Sequence, residues 1–316
     1  MSGFMSHRLT NLFHTIILLG ALLLLLALLG WSIAGVYGII WAILVGILPL
    51  LASLRIFPAL TLKMFNARPL DECEAPKLHA ILREICRRAR LPAPRLHYIA
   101  SDAALVFSIG HGATAAISVS DGILRLLTLR ELTSVLAHEV SHILHKDTWV
   151  MSFADVVSRL THTISIFGQI LILINLPLLL LGKYSLPWLP LLLMLTAPLV
   201  SALLQLALSR TREYNADMNA VELLGDGAGL ASALAKMEEY QRKIQQHGFA
   251  GHGKGDPSLL RTHPPTEERI RRLHQLTAEL DLLHPHINHT EEYENLPTNL
   301  QRPRRKPRRH FTGLWH

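Results

Sequence analysis

The chain has 316 residues, half of them hydrophobic and only 17% charged, with a net charge of +7 at neutral pH. Soluble domains carry about 25% charged residues, so this composition excludes an ordinary water-soluble enzyme and points to a membrane protein. Two cysteines, Cys73 and Cys86, exclude a disulfide framework and have no metal partner at finger-like spacing, so both read as free thiols.

From Leu9 to Leu54 the chain contains no Asp, Glu, Lys or Arg. As one helix, a run of that length would measure about 69 Å against a hydrocarbon core of about 30 Å, which predicts two crossings. A turn near Gly30 to Gly38, with Trp31, Tyr37 and Trp41 as interface anchors, gives a hairpin of 14–34 and 37–57 within an N-terminal membrane segment, 1–62. Residues 63–159 read as the first part of a soluble domain. A helix is predicted over 74–90, a strand from Arg95 to Ala100, and a β-hairpin of Leu105–Ile109 with Ala115–Val119 around Gly110-His111-Gly112. Thr128 and Glu131 form a capping-box pattern ahead of Leu129, Leu132, Leu136, Val140 and Ile143, an apolar face with helical spacing.

Residues 160–182 and 184–209 lack formal charges and are separated by Lys183, so they predict a second membrane hairpin, 160–208, made irregular by Pro177, Pro187, Pro190 and Pro198. The soluble domain resumes over 209–290. Arg8 before the first span, Arg55, Lys63 and Arg68 after the second, and Arg210 and Arg212 after the fourth predict cytoplasmic termini and a cytoplasmic soluble domain. The tail, 291–316, holds Arg302, Arg304, Arg305, Lys306, Arg308 and Arg309, most of the net charge. It reads as a solvated, disordered extension, with contact to anionic lipid through these charges and Phe311, Leu314 and Trp315 as the alternative. No recognition fold for nucleic acid, glycine-rich phosphate loop or internal repeat stands out.

The chemistry is concentrated in His138-Glu139-Val140-Ser141-His142. At 3.6 residues per turn, His138 and His142 share a helix face and can reach one zinc ion, with Glu139 beside it. Two neutral imidazoles leave coordination positions for a third ligand and for water, whose proton a nearby carboxylate can accept as the water attacks a carbonyl. The predicted reaction is peptide hydrolysis. The spacing is not that of the metzincins, since His145 and Thr148 stand where that pattern needs Gly and His, and His145 lies too far along a straight helix to close a tetrahedron. Glu213 and Asp217, four residues apart, suit a ligand carboxylate and a second carboxylate that orients a ligand histidine; an exposed acidic pair is the alternative.

His138 to His142, then Arg212-Glu213-Tyr214-Asn215-Ala216-Asp217, then Thr262-His263-Pro264-Pro265-Thr266-Glu267-Glu268-Arg269-Ile270 together resemble the HtpX-type membrane zinc metalloproteases, gluzincins related to the CAAX prenyl endopeptidases. The resemblance extends from the first membrane span to residue 276. It implies an α+β membrane protein with a gluzincin-like domain and four transmembrane helices in two hairpins. It implies one zinc ion per chain held by His138, His142 and Glu213, Glu139 as catalytic base, and Asp217 behind the ligands. His263 is a candidate to stabilise the tetrahedral intermediate, or packs at a helix start. Leu105, Val106, Phe107 and Ser108 are a candidate substrate edge strand, on which Leu105 replaces the family's usual Asn and implies a more apolar contact at that subsite. The implied substrates are membrane or misfolded proteins; a specific processing protease and a non-cleaving membrane scaffold are the alternatives.

Overall fold

The computed structural model describes residues 2–181, 188–247 and 265–283. They fall into two compact units, one containing the residues up to Lys63, His142–Met218 and Arg269, the other containing Met64–Ser141, the chain from Asn219 and the chain from Ile270. The divisions at 141/142 and 218/219 lie inside continuous helices.

The first unit is helical. Helix α1, Ser2–Met64, is interrupted at Ala34 (φ −139°, ψ 25°) and Gly35 (φ 57°, ψ −139°). There the chain reverses: a Cβ on Gly30 would lie 2.8 Å from the Gly38 carbonyl oxygen, although eight residues of straight helix would separate the two by about 12 Å. Gly35 supplies the left-handed backbone and Gly38 the close approach, since any side chain at 38 would collide with the Gly30 carbonyl. Leu22 and Leu26 of one limb pack with Ala42 of the other and with Val150, Ala154, Val157 and Leu208. The latter four belong to α5, Asp147–Leu180, and α6, Trp188–Leu224. Leu24, Trp31, Trp41, Phe167, Leu173 and Leu199 are large apolar side chains left exposed, as lipid-facing positions require.

Where the charge-free runs predict four spans, three helices among the described residues are long and apolar enough to cross a membrane: Thr10–Ile47, Asp147–Pro177 and Pro190–Leu224. The difference arises in α1, whose reversal occupies two residues and leaves no loop between its limbs.

The second unit carries a small mixed sheet of four strands among the described residues, in the order β1-β2-β4-β3. These are β1 (Arg68–Pro69), β2 (Arg95–Ile99), β3 (Val106–Ile109) and β4 (Ala116–Ser120). The predicted hairpin is present as antiparallel β3 and β4, and β2 runs parallel to β4. All five β4 residues are buried, so both faces of the sheet are covered. Strand β3 ends the sheet with Val106, Phe107 and Ser108 half-buried. Leu105, just before it, is buried, and its amide and carbonyl bond to Ser120. Helix α2, Pro76–Arg88, buries Leu78, Ile81, Leu82 and Ile85, the stripe its periodicity predicts. Both cysteines are free, Cys73 exposed and Cys86 buried. Helices α3 (Asp121–Leu126), α4 (Leu129–Leu144), α7 (Gly227–His247) and α8 (Thr266–Leu283) complete the described chain.

Candidate metal centre

Helix α4 starts as its sequence requires. Glu131 N–H donates to Thr128 Oγ1 at 3.3 Å and Thr128 N–H to Glu131 Oε2 at 2.8 Å, a capping box. Glu131 also accepts from Ser232 at 2.6 Å and from Lys236 at 2.8 Å, both on α7. Burial would raise the Glu131 carboxyl, but its bonds to Lys236, Ser232 and Thr128 outweigh burial and hold it below the usual carboxylate range. One residue earlier, Arg130 donates through two nitrogens to Asp226, at 2.7 and 2.9 Å, and Asp226 in turn accepts from the Gly229 N–H at 2.9 Å in the first turn of α7. The first turn of α4 is therefore fixed by two charged contacts.

Two turns further on, α4 presents His138 and His142. Each of His138, His142 and Glu213 offers one ligand atom, and the three atoms lie within 4.8 Å of one another. His142 Nε2 is 3.6 Å from Glu213 Oε1. Ligand atoms about 2.1 Å from a tetrahedral zinc are about 3.4 Å apart, so the His142–Glu213 pair is already spaced to share one. His138 and Glu213 are buried, at 6% exposure each, and Glu139, the neighbour of His138, is buried at 7%. A carboxylate so buried is shielded from bulk water.

The other ring nitrogen of His142 is occupied: Nδ1 lies 2.9 Å from Asp147 Oδ2, leaving Nε2 for the metal. Asp147 Oδ1 accepts from Arg212 at 2.9 Å. Asp147 thus orients one of the ligand histidines, His142. Asp217 itself is gripped by Arg269, whose Nε and NH2 donate at 2.8 and 2.6 Å, while Arg269 NH1 lies 2.9 Å from Glu213 Oε2. His145 falls beyond the last helical residue, in a turn with Lys146 at φ 54°, and is not in the cluster. His263, the basic tail and Lys183 lie outside the described residues. Asp147, Arg212 and Arg269 are the site residues whose roles sequence reasoning missed; the available signals were the carboxylate five positions after His142 and the Arg that precedes Glu213.

A family model described as peptidase family M48 matches residues 72–277, a stretch that includes His138, Glu139, His142, Glu213, Asp217 and Arg269. The chain belongs to peptidase family M48. A protein named Protease HtpX homolog from Methylibium petroleiphilum is 34% identical over 282 residues, covering 83% of this chain and 96% of the relative. Another of that name from Paraburkholderia phytofirmans is 34% identical over 284 residues, covering 84% and 97%. The crystal structure of S. mikatae Ste24p is similar over 85% of this chain and 67% of its own, with a TM-score of 0.46 and 20% identity, too distant to carry an argument. Membership in M48 and the HtpX relatives make this chain a membrane metalloprotease, a hydrolase, as the sequence motifs imply. The M48 family implies a bound metal, and the His, His and Glu donors fit one.

Proposed function

We propose that this M48 peptidase is a zinc endopeptidase of the bacterial inner membrane that hydrolyses peptide bonds in membrane or misfolded proteins. The observation that carries this reading is the convergence of His138, His142 and Glu213 donor atoms within 4.8 Å, with Glu139 buried next to His138. Two imidazoles and one carboxylate suit zinc, and three protein ligands leave a position for water or substrate. Zinc bound there would act as a Lewis acid, polarising the scissile carbonyl and the attacking water.

The chain's own residues supply the remainder. Glu139 accepts the proton of the water as it attacks and passes it to the departing amine. Asp147 holds the His142 ring with Nε2 forward, and Asp217 acts behind the ligands through Arg269. His263 is the further donor proposed for the tetrahedral intermediate. Strand β3, at the edge of the sheet among the described residues, offers Val106, Phe107 and Ser108 to an extended peptide, which main-chain hydrogen bonds would hold with little regard to sequence.

The two limbs of α1 and the pair α5 and α6 support four crossings. The basic residues flanking the charge-free runs support both termini and the catalytic part in the cytoplasm, with the basic tail a solvated extension or, as the alternative, in contact with anionic lipid. We assign the soluble domain to 63–159 and 209–290. The test uses the full chain in bilayer discs, mixed with a set of membrane and unfolded proteins with zinc supplied or chelated. Zinc-dependent cleavage of many substrates is the expected result. A single cut in one substrate would favour a processing protease, and no cleavage with retained zinc a scaffold.

A further inference from the structure

Helices α5 and α6 are antiparallel and are joined along their length by polar side chains. At one end Arg212 of α6 donates to Asp147 of α5 at 2.9 Å. Then come Gln205 to Asp155 at 3.5 Å and Ser201 to Ser158 at 2.8 Å. At the far end Ser165 Oγ and, at 3.0 Å, Gln169 Nε2 both donate to the backbone carbonyl of Met194.

That carbonyl is not an arbitrary acceptor. Pro198 lies inside α6, four residues after Met194, and has no N–H with which to close the helical bond to it. In a hydrocarbon environment an unsatisfied carbonyl is unfavourable, and neighbouring helices satisfy such groups. Ser165 and Gln169 are placed to do so, and Ser165 is fully buried. The ladder that begins at this carbonyl ends at the metal site: Asp147 holds His142, and Arg212 is the neighbour of Glu213.

We propose that Asp147 and Arg212 are positioning residues that key His142 to Glu213, and that α5–α6 packing, fixed at the carbonyl left open by Pro198, sets how tightly the metal is kept. This rests on the reading of His138, His142 and Glu213 as zinc ligands. Breaking the Arg212–Asp147 contact loosens the carboxylate that orients the His142 ring and lets α6, which bears Glu213, drift relative to α5, whose first residue holds His142. Loosening the helix pair at Ser165, about 27 Å down the helix from Asp147, transmits a smaller change through the same rungs.

The measurement is the zinc dissociation constant of the full chain in bilayer discs, by competition with a chromophoric chelator. Arg212→Gln is expected to weaken zinc by about 10 to 100-fold, the usual effect of removing support behind a ligand. Arg212→Lys, which keeps the charge, should recover most of it. Ser165→Ala with Gln169→Leu should weaken zinc by about threefold, the size of one interhelical hydrogen bond in a membrane. Adding Pro198→Ala to that pair closes the helical bond to the Met194 carbonyl within α6 but does not rejoin α5 to α6, so affinity should stay low; its return would mean that the open carbonyl, and not the tie between the helices, was what mattered. Unchanged affinity in Arg212→Gln would overturn the proposal. Should that variant fail to fold, the remote pair and the triple variant decide alone, and affinity that does not move in the pair, or that returns with Pro198→Ala, overturns it. A wild-type chain that binds no zinc would instead overturn the ligand reading beneath it.

Discussion

Arg269 shows how much charge the centre buries. Its guanidinium serves both oxygens of Asp217 and one of Glu213 while only 5% exposed, and the two carboxylates are equally enclosed. Removing one partner of a buried ion pair costs about 3 to 5 kcal/mol, because the remaining charge stays desolvated. Arg269→Met should therefore lower the thermal unfolding midpoint by about 10 °C. A calorimetric midpoint within a degree of wild type would show that Arg269 does not carry this load. The residues legible in the sequence were those whose meaning is local: His138 and His142 declare themselves by one helical turn, and Glu139 by adjacency. Arg269 and Asp147 owe their roles to partners brought close by folding, 52 residues away for Asp217 and 65 for Arg212, and no spacing rule reaches that far.

At the scale of elements, the helix that bears the histidines is held at its first turn by Glu131 and Arg130. The Glu131 and Asp226 carboxyls are both held below their usual range, burial opposing and hydrogen-bonded cations prevailing. A depressed folded-state value means that the contribution to stability is complete above the unfolded value, about 4 for such groups, and is lost as pH falls through the folded value. Wild type should thus lose stability below about pH 4 more steeply than Glu131→Gln combined with Asp226→Asn, a variant less stable at pH 7. Urea unfolding at pH 7, 5, 4 and 3 checks this; parallel curves would contradict it. The capping box, the amphipathic stripe of α2 and the β3–β4 hairpin were readable because each has a short period or a turn signal. Strand β1 was not, being two residues, one of them Pro, with register set by β2. The reversal of α1 falls inside the turn that the sequence predicts near Gly30 to Gly38, at Ala34 and Gly35, and packs Gly30 against Gly38.

For the whole molecule, charge-free runs located the membrane segments but could not say how the chain turns within them, since hydropathy is blind to a two-residue break. The basic flanks predict a topology that reporter fusions can test. Fusions after Arg68, Lys146 and Arg212 should report cytoplasm and one at Lys183 the opposite side; a cytoplasmic signal at Lys183 would leave α5 and α6 as a re-entrant pair. The central claim, that His138, His142 and Glu213 hold zinc while Glu139 moves the proton, is tested most directly by zinc content measured alongside cleavage of one extended peptide. Glu139→Gln should keep one zinc per chain and lose cleavage, whereas His138→Ala, His142→Ala and Glu213→Ala should lose both. Full zinc and full activity in Glu213→Ala, or wild-type cleavage by Glu139→Gln, would contradict it.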